Sequence, residues 1–392
     1  MRLSDLLTLR RGKNLFLPAH GRGKSLPRDT KRLLKNKPGV WDLPELPDIG
    51  GPTALGGAVA ISQSESASFL GAQKGWYGVN GATGLLQASL LAIAKPKESI
   101  LIPRNAHRSI IQACVLGDLN PVLFDLPYLE DRGHFLPPDF LWFQKIVNSL
   151  SKESIQISAV VLTNPTYQGY SADLQSIVQL SHQKGWPVLV DEAHGAYFST
   201  CANKSLPRTA LSAGADLVVH SLHKSAKGLV QTAVLWWQGE LVDPDLVERS
   251  LVIFQTSSPS ALLLSSCEAA LDDFRSASSI KDLKQRIIHA KEIALALRQE
   301  GLPILQNEDP LKFILHTSSI GISGLDADKW FITNGLIAEL PEPGTITFCL
   351  GFARHRGLTI ALKRQWNQLV SSNLRRNTFP PFSKPPFPLL TT

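Results

Sequence analysis

Asp191, Glu192 and His194 stand together in LVDEAHGAYF, residues 189–198, at the end of an apolar run. Two carboxylates and an imidazole placed there could serve a nucleoside triphosphate, a metal or an organic cofactor. Upstream, GRGKS at residues 21–25 has the look of the end of a phosphate loop. That loop requires a glycine at the first place of G-x-x-x-x-G-K-[ST], and Pro18 occupies it here. Proline has no N–H and cannot take a positive φ, so the turn loses both features that cradle phosphate. GRGKS also precedes a proline-containing segment where the motif should open a helix. The ATP reading falls. A metal is not indicated either: Cys114, Cys201, Cys267 and Cys349 lie far apart, with no C-x-x-C pair and no histidine at ligand spacing.

Pyridoxal phosphate is the organic cofactor whose needs the remaining residues meet: a lysine for a Schiff base, a carboxylate against the pyridine nitrogen, and donors for a dianionic phosphate. Lys224 in HSLHKS follows one apolar strand and Asp191 ends the one before it. A carboxylate at Asp191 would keep the ring nitrogen protonated. NGATGLLQAS, residues 80–89, is a Gly-rich turn opening an apolar helix, and a helix N-terminus offers free N–H groups and partial positive charge to a phosphate. Thr83 adds a hydroxyl, and Ser221 and His223 flank the lysine to close the other side. His107 in RNAHRS has a flat face suited to stack on the ring, and Ala193 is small enough to let the ring approach from the opposite side. Each feature has a bland counterpart: an aspartate at a strand end is a common turn former or cap, and His107 alone could be an ordinary surface residue. Their order along the chain carries the argument, each falling after a predicted strand or at a helix start.

The elements that must position these groups read as α/β. Short β-branched runs (SILIPRNAH, NPVLFDL, ISAVVLTNP, PVLVDEAH, GADLVVHS, GLVQTAVLWW) alternate with helical stretches, including one over 172–184. In an open parallel sheet, ligands bind at the carboxyl ends of the strands. Asn105, His107, Asn164, Asp191, His194, Ser221 and Lys224 are therefore expected in one crevice. Residues 1–75 are rich in Gly, Pro and Ser and read as a wrapping arm in which a packed core is not expected. Residues 76–265 form the larger cofactor domain, and 266–392 a helix, a small C-terminal α+β domain and a Pro-rich tail that should be extended.

Bulk properties agree with a soluble globular protein. The 392 residues are 43% hydrophobic and 19% charged, with a formal net charge of +7. The N-terminus has the wrong charge order for a secretory signal, and the longest apolar segment, residues 85–94, is far below the roughly 18 residues a membrane span needs. A cytoplasmic protein without a membrane role is expected. The basic stretch 10–37 has no interleaved aromatic residues and reads as a solvated edge rather than a nucleic-acid surface.

VDEAHGAYF, GADLVVHSLHKSAKGLVQTAVL, RNAHRSIIQACVLGDLNPVLF, TNPTYQGY and FLPAHGRGK, with QTSSPSALLLSSCEAA, together resemble the Orn/Lys/Arg decarboxylase family over about residues 15–270. The resemblance implies pyridoxal phosphate fold type I (aspartate aminotransferase-like), with a mostly parallel seven-stranded sheet. It implies Lys224 as the Schiff-base lysine, Asp191 at the pyridine nitrogen, His107 on the ring and His194 beside it, with Thr83, Ser221 and His223 on the phosphate. It further implies decarboxylation of arginine, lysine or ornithine by at least a homodimer with sites at the subunit interface. Where the family commonly has a Ser-Thr pair followed by Gly-Asn, this chain has Ala82, Thr83, Gly84 and Leu85, so the cup loses one hydroxyl, worth about 0.5–1.5 kcal/mol. The chain is also shorter than family members usually are. Transamination or elimination on the same fold, or a catalytically silent relative, would use the same residues, since fold does not fix function. Asp326, Glu339 and Glu342 are candidates to bind a substrate's distal cation, but the sequence does not place them near Lys224.

Overall fold

The structure, a computed structural model, describes residues 12–37, 39–152, 154–200, 206–374 and 376–384. The N-terminal residues read for a leader, Cys201 and the last residues of the Pro-rich tail lie outside these. Seven strands form the larger sheet: β1 (Lys74–Gly78), β2 (Ser99–Pro103), β3 (Asn120–Phe124), β4 (Ala159–Thr163), β5 (Val188–Asp191), β6 (Leu217–Ser221) and β7 (Ala233–Trp237). Their spatial order is β1-β7-β6-β5-β4-β2-β3. Only β7 runs against its neighbours; the other pairings are parallel.

The central strands are apolar throughout because both faces are covered. Side chains alternate across a strand, so Val188, Val190 and Val218 enter one core while Leu189, Leu217 and Val219 enter the other. The second core is closed by the helices Gly81–Ile93, Arg108–Gly117 and Pro244–Phe254. The last of these starts with Pro244 at its first position and Asp243 capping the N–H of Asp245, an arrangement in which the missing N–H costs nothing. The helix expected over 172–184 spans Gln175–Gln183, because Ala172 closes the preceding loop through both hydrogen bonds of the Asn164 amide.

A four-stranded antiparallel sheet follows: β8 (Ile304–Leu305), β9 (Lys312–Leu315), β10 (Leu340–Pro341) and β11 (Ile346–Cys349), ordered β8-β9-β11-β10. The long helix Ala277–Gln299 and the helices Gly324–Thr333 and Leu358–Val370 pack with it. Residues 376–384 run without helix or strand, in line with their proline content.

The N-terminal 75 residues depart from expectation. They contribute to the core: Leu15 is fully buried, and the helix Ala58–Leu70 buries Val59 and Ala67. The sequence hides this helix because its inner face is made of small and polar residues instead of an apolar stripe. Ser62 bonds the Tyr77 hydroxyl at 2.7 Å, and Gln63 takes the Tyr77 N–H at 2.7 Å. Lys13–Asn14 pairs in parallel with Leu336–Ile337, and Ala19 N–H donates to the His223 carbonyl at 2.9 Å. The early segment is thus threaded between the smaller sheet and the lysine-bearing turn.

Candidate cofactor site

Asp191 and Lys224 are brought together by neighbouring strands. Asp191 ends β5, facing Val219 of β6 on one side and Thr163 of β4 on the other. It is 6% exposed. One carboxylate oxygen accepts the Ala193 N–H at 3.1 Å; the other meets no donor among the described residues. Burial raises the Asp191 carboxyl above its ordinary range, and the nearby Lys224 ammonium is the strongest influence opposing that rise. Lys224 sits in the short turn Leu222–Ser225 directly after β6. Ser225 fastens that turn to the Asp191 segment, donating to the Ala193 carbonyl at 2.8 Å and accepting the Ala196 N–H at 3.0 Å.

His194 is fully enclosed beside the amine, with Nε2 3.5 Å from Lys224 Nζ. Burial first, then the charges of Lys312 and Lys224, holds its pKa well below the usual imidazole value. A neutral ring with Nε2 unprotonated accepts a hydrogen bond from the ammonium. His107 caps the helix Arg108–Gly117, its Nδ1 accepting the Ser109 N–H at 3.3 Å. It stands at the exposed rim and remains close enough to Asp191 and Lys224 for both charges to act on it.

Residues 80–84, where the sequence predicts the phosphate cup, open the helix Gly81–Ile93. Asn80 does not cap the helix Gly81–Ile93; its amide turns instead to the Phe254 carbonyl at 2.8 Å. Gly81 N–H is taken by the Gln231 carbonyl at 2.9 Å, which leaves the N–H groups of Ala82 and Thr83 without an acceptor among the described residues. Gly81 has φ +71°, a conformation that only glycine adopts readily. At Gly84 a Cβ would stand 3.3 Å from the Phe254 carbonyl oxygen and 3.4 Å from Gln255 Nε2. Gly78, Ala233 and Ser221 lie in one row across β1, β7 and β6. The cup and the Ser221–Lys224 turn therefore leave the same end of the sheet, two strand spacings or about 10 Å apart. Ser221 Oγ is 3.1 Å from His223 Nδ1.

These residues fit pyridoxal phosphate. The cup's free N–H groups suit an anion, and a buried carboxylate oxygen without a donor suits a protonated ring nitrogen. Several further buried polar atoms at this end of the sheet also lack partners: Asn105 Oδ1, Thr163 Oγ1 and both amide atoms of Gln255. Burial of a polar group without a partner costs about 1–3 kcal/mol, so each of these atoms would gain from a polar ligand.

Not every expected residue takes part. The Asn164 amide is spent on Ala172. Ser323 caps Gly324–Thr333 by accepting the Asp326 N–H, and the Asp326 carboxylate accepts the Ser323 hydroxyl and pairs with Lys329 on an exposed surface. Glu342 is held by His134 at 2.9 Å and Gln168 at 2.9 Å. Glu339 does reach the site, through the hydroxyl of Tyr167. Tyr167, Lys312 and Ser225 were not singled out in the sequence. Tyr167 packs on His194 with ring centroids 4.5 Å apart, and Lys312 and Lys224 both lie within 6 Å of its ring centroid. Tyr167 and Ser225 fall within the motifs TNPTYQGY and GADLVVHSLHKSAKGLVQTAVL, whereas no motif contains Lys312.

Glu192 points the other way and belongs to the core. It accepts from the Ala210 N–H at 2.9 Å and from His220 Nε2 at 2.7 Å, while Trp236 Nε1 donates to His220 Nδ1 at 3.0 Å. Glu192 and His220 are both fully buried. Glu192→Ala leaves His220 Nε2 and the Ala210 N–H unpaired. We expect it to lower unfolding free energy by about 3–5 kcal/mol, read from urea midpoints of the purified variant.

The fold is that of the pyridoxal phosphate proteins of fold type I. Residues 42–301 match the model of the Orn/Lys/Arg decarboxylase major domain, and the chain belongs to this family. It is 30% identical over 334 residues to the arginine decarboxylase of Bacillus subtilis, covering 80% of this chain and 65% of that protein. The lysine decarboxylase A of Pseudomonas aeruginosa superposes with a TM-score of 0.74 at 16% identity, over 84% of this chain and 53% of that one. The constitutive lysine decarboxylase of E. coli gives 0.71 at 18% identity, over 82% and 52%. The chain thus spans about two thirds of that curated relative and about half of those solved chains. Among the described residues no helix is long and apolar enough to cross a membrane.

Proposed function

We propose that the chain binds pyridoxal phosphate on Lys224 and removes the carboxylate of a basic amino acid as CO2, with arginine the first substrate to test. The observation that carries this reading is Asp191, buried at the end of β5 with one carboxylate oxygen unshared among the described residues, and the half-buried Lys224 in the turn that follows the adjacent strand β6. When bound, pyridoxal phosphate supplies the electron sink that accepts the pair left on the substrate's α-carbon. Asp191 would hold a proton on the pyridine nitrogen, and Lys224 would supply the amine that anchors the cofactor. Ala82 and Thr83 N–H, the Thr83 hydroxyl, Ser221 and His223 hold the phosphate, with Gly84 admitting the close approach of the 254–255 turn. His107 and Ala193 would border the ring, and His194 offers Nε2 to the lysine amine. Burial of Asp191, Ala193 and His194 excludes water from this wall.

The same reading includes a homodimer or larger assembly in the cytoplasm. Val115 and Ile253 are 77% and 75% exposed on helices flanking the cup, a placement suited to a second subunit. Cys114, Cys267 and Cys349 are buried free thiols, as a reducing compartment allows. The test is incubation of the cofactor-loaded protein with arginine, lysine and ornithine while CO2, amine and keto acid are measured. CO2 and amine in equal amounts are expected from one of the three. Keto acid without CO2 would assign transamination instead, and no turnover of any of them would contradict a decarboxylase.

A further inference from the structure

The loop that follows β4, residues 164–170, is gripped by the smaller sheet and its approaches. Lys312 Nζ donates to the Tyr167 carbonyl at 2.7 Å, Asn307 Nδ2 to the Gln168 carbonyl at 2.8 Å, and Asp309 N–H to the Gly169 carbonyl at 3.0 Å. The Tyr167 hydroxyl donates to Glu339 Oε1, whose other oxygen accepts the Leu17 N–H at 2.7 Å. Burial and the Glu339 charge both push the Tyr167 phenol up, so it keeps its proton. On its opposite side the same ring lies 4.5 Å from the His194 ring, tilted by 57°, and 5.9 Å from Lys224 Nζ.

We propose that Tyr167 is a positioning residue for Lys224: its ring fixes His194 with Nε2 toward the amine, and Glu339, just before β10 of the smaller sheet, fixes the ring. This rests on the cofactor reading of Lys224. A histidine's χ2 is a broad torsion, and no hydrogen bond to His194 Nδ1 was found among the described residues, so the packed ring is what selects the orientation. The hydroxyl-to-carboxylate bond is charge-assisted and roughly twice as strong as a neutral one. Through it, displacement of the smaller sheet moves Tyr167 and with it the surroundings of the lysine.

The experiment compares wild type with Tyr167→Ala, Tyr167→Phe, Glu339→Gln and the Tyr167→Phe/Glu339→Gln double variant. Apo-protein is mixed with pyridoxal phosphate and the rate of covalent attachment is followed by visible absorbance. Turnover of the active basic amino acid and melting temperature are recorded alongside. Tyr167→Ala should slow attachment about tenfold or more and lower kcat about 10²-fold, as a misplacement near 1 Å does, with KM within about threefold. Tyr167→Phe and Glu339→Gln should each slow attachment by several-fold, and the double variant no further than Tyr167→Phe, because one tie is cut in each. Attachment and kcat at wild-type values in folded Tyr167→Phe and Tyr167→Ala, whatever their melting temperatures, would overturn the proposal. Should Tyr167→Ala not fold, the cycle decides alone: non-additive effects support the tie and additive ones refute it. Wild-type protein that never attaches the cofactor removes the cofactor reading itself and the proposal with it, a failure visible before any variant is made.

Discussion

Lys224→Ala is expected to abolish the visible band that the cofactor shows when bound to lysine, and to lower kcat by at least about 10⁴-fold, the scale of losing a covalent catalytic group. The physical basis is local. Lys224 is held in a turn of four residues whose end, Ser225, is bonded to both sides of the Asp191 segment. Alanine leaves those backbone and Ser225 contacts intact, so the variant should fold and melt near wild type. The phosphate cup is also untouched, and the variant should still bind the cofactor non-covalently, with a spectrum resembling the free aldehyde. Melting temperature and absorbance measured on the same sample separate loss of the amine from loss of the fold.

Asp191→Asn should lower kcat about 10²–10³-fold, the size of a lost electrostatic stabiliser, while leaving the lysine band in place. Asparagine is nearly isosteric, and its Oδ1 can still accept the Ala193 N–H. It cannot hold a proton on a pyridine nitrogen by charge. The stability change should have the opposite sign to the activity change. Burial raises the Asp191 carboxyl, which means the apo fold disfavours its charged form, so a neutral amide should leave the apo-protein as stable as wild type or slightly more. A residue retained against stability is one kept for function. Thermal melts of the two apo-proteins at pH 7, set against their kcat values, check both halves of this expectation.

The parts of the site that could be read from sequence are those lying just past apolar strands. Parallel strands buried on both faces form unbroken β-branched runs, so their carboxyl ends, and with them Asp191, Ser221 and Lys224, are visible without any tertiary knowledge. The turn at Gly81–Gly84 was legible for the same local reason, a glycine pair opening an apolar helix. What could not be read came from distant chain. Lys312 lies on the smaller sheet, Glu339 just before its strand β10, and Leu17, which binds Glu339, on the early segment; their meeting around Tyr167 depends on how the two sheets dock, which no local pattern encodes. The helix Ala58–Leu70 escaped because serine, alanine and glutamine supply its buried face. DEAH itself divides by strand geometry. Asp191 faces the crevice and Glu192 the opposite core, so the neighbouring carboxylates that seemed one motif perform separate tasks.

Borohydride reduction of the cofactor-loaded protein, followed by proteolysis and mass spectrometry, tests the pairing of Lys224 with Asp191 most directly. Two buried or half-buried lysines compete near the Tyr167 ring, Lys224 and Lys312, and only the first sits in the turn that follows the strand next to Asp191. The account predicts a pyridoxyl group on the peptide containing Lys224 in wild type and in Asp191→Asn. A label on Lys312, on any other lysine, or on none would contradict it.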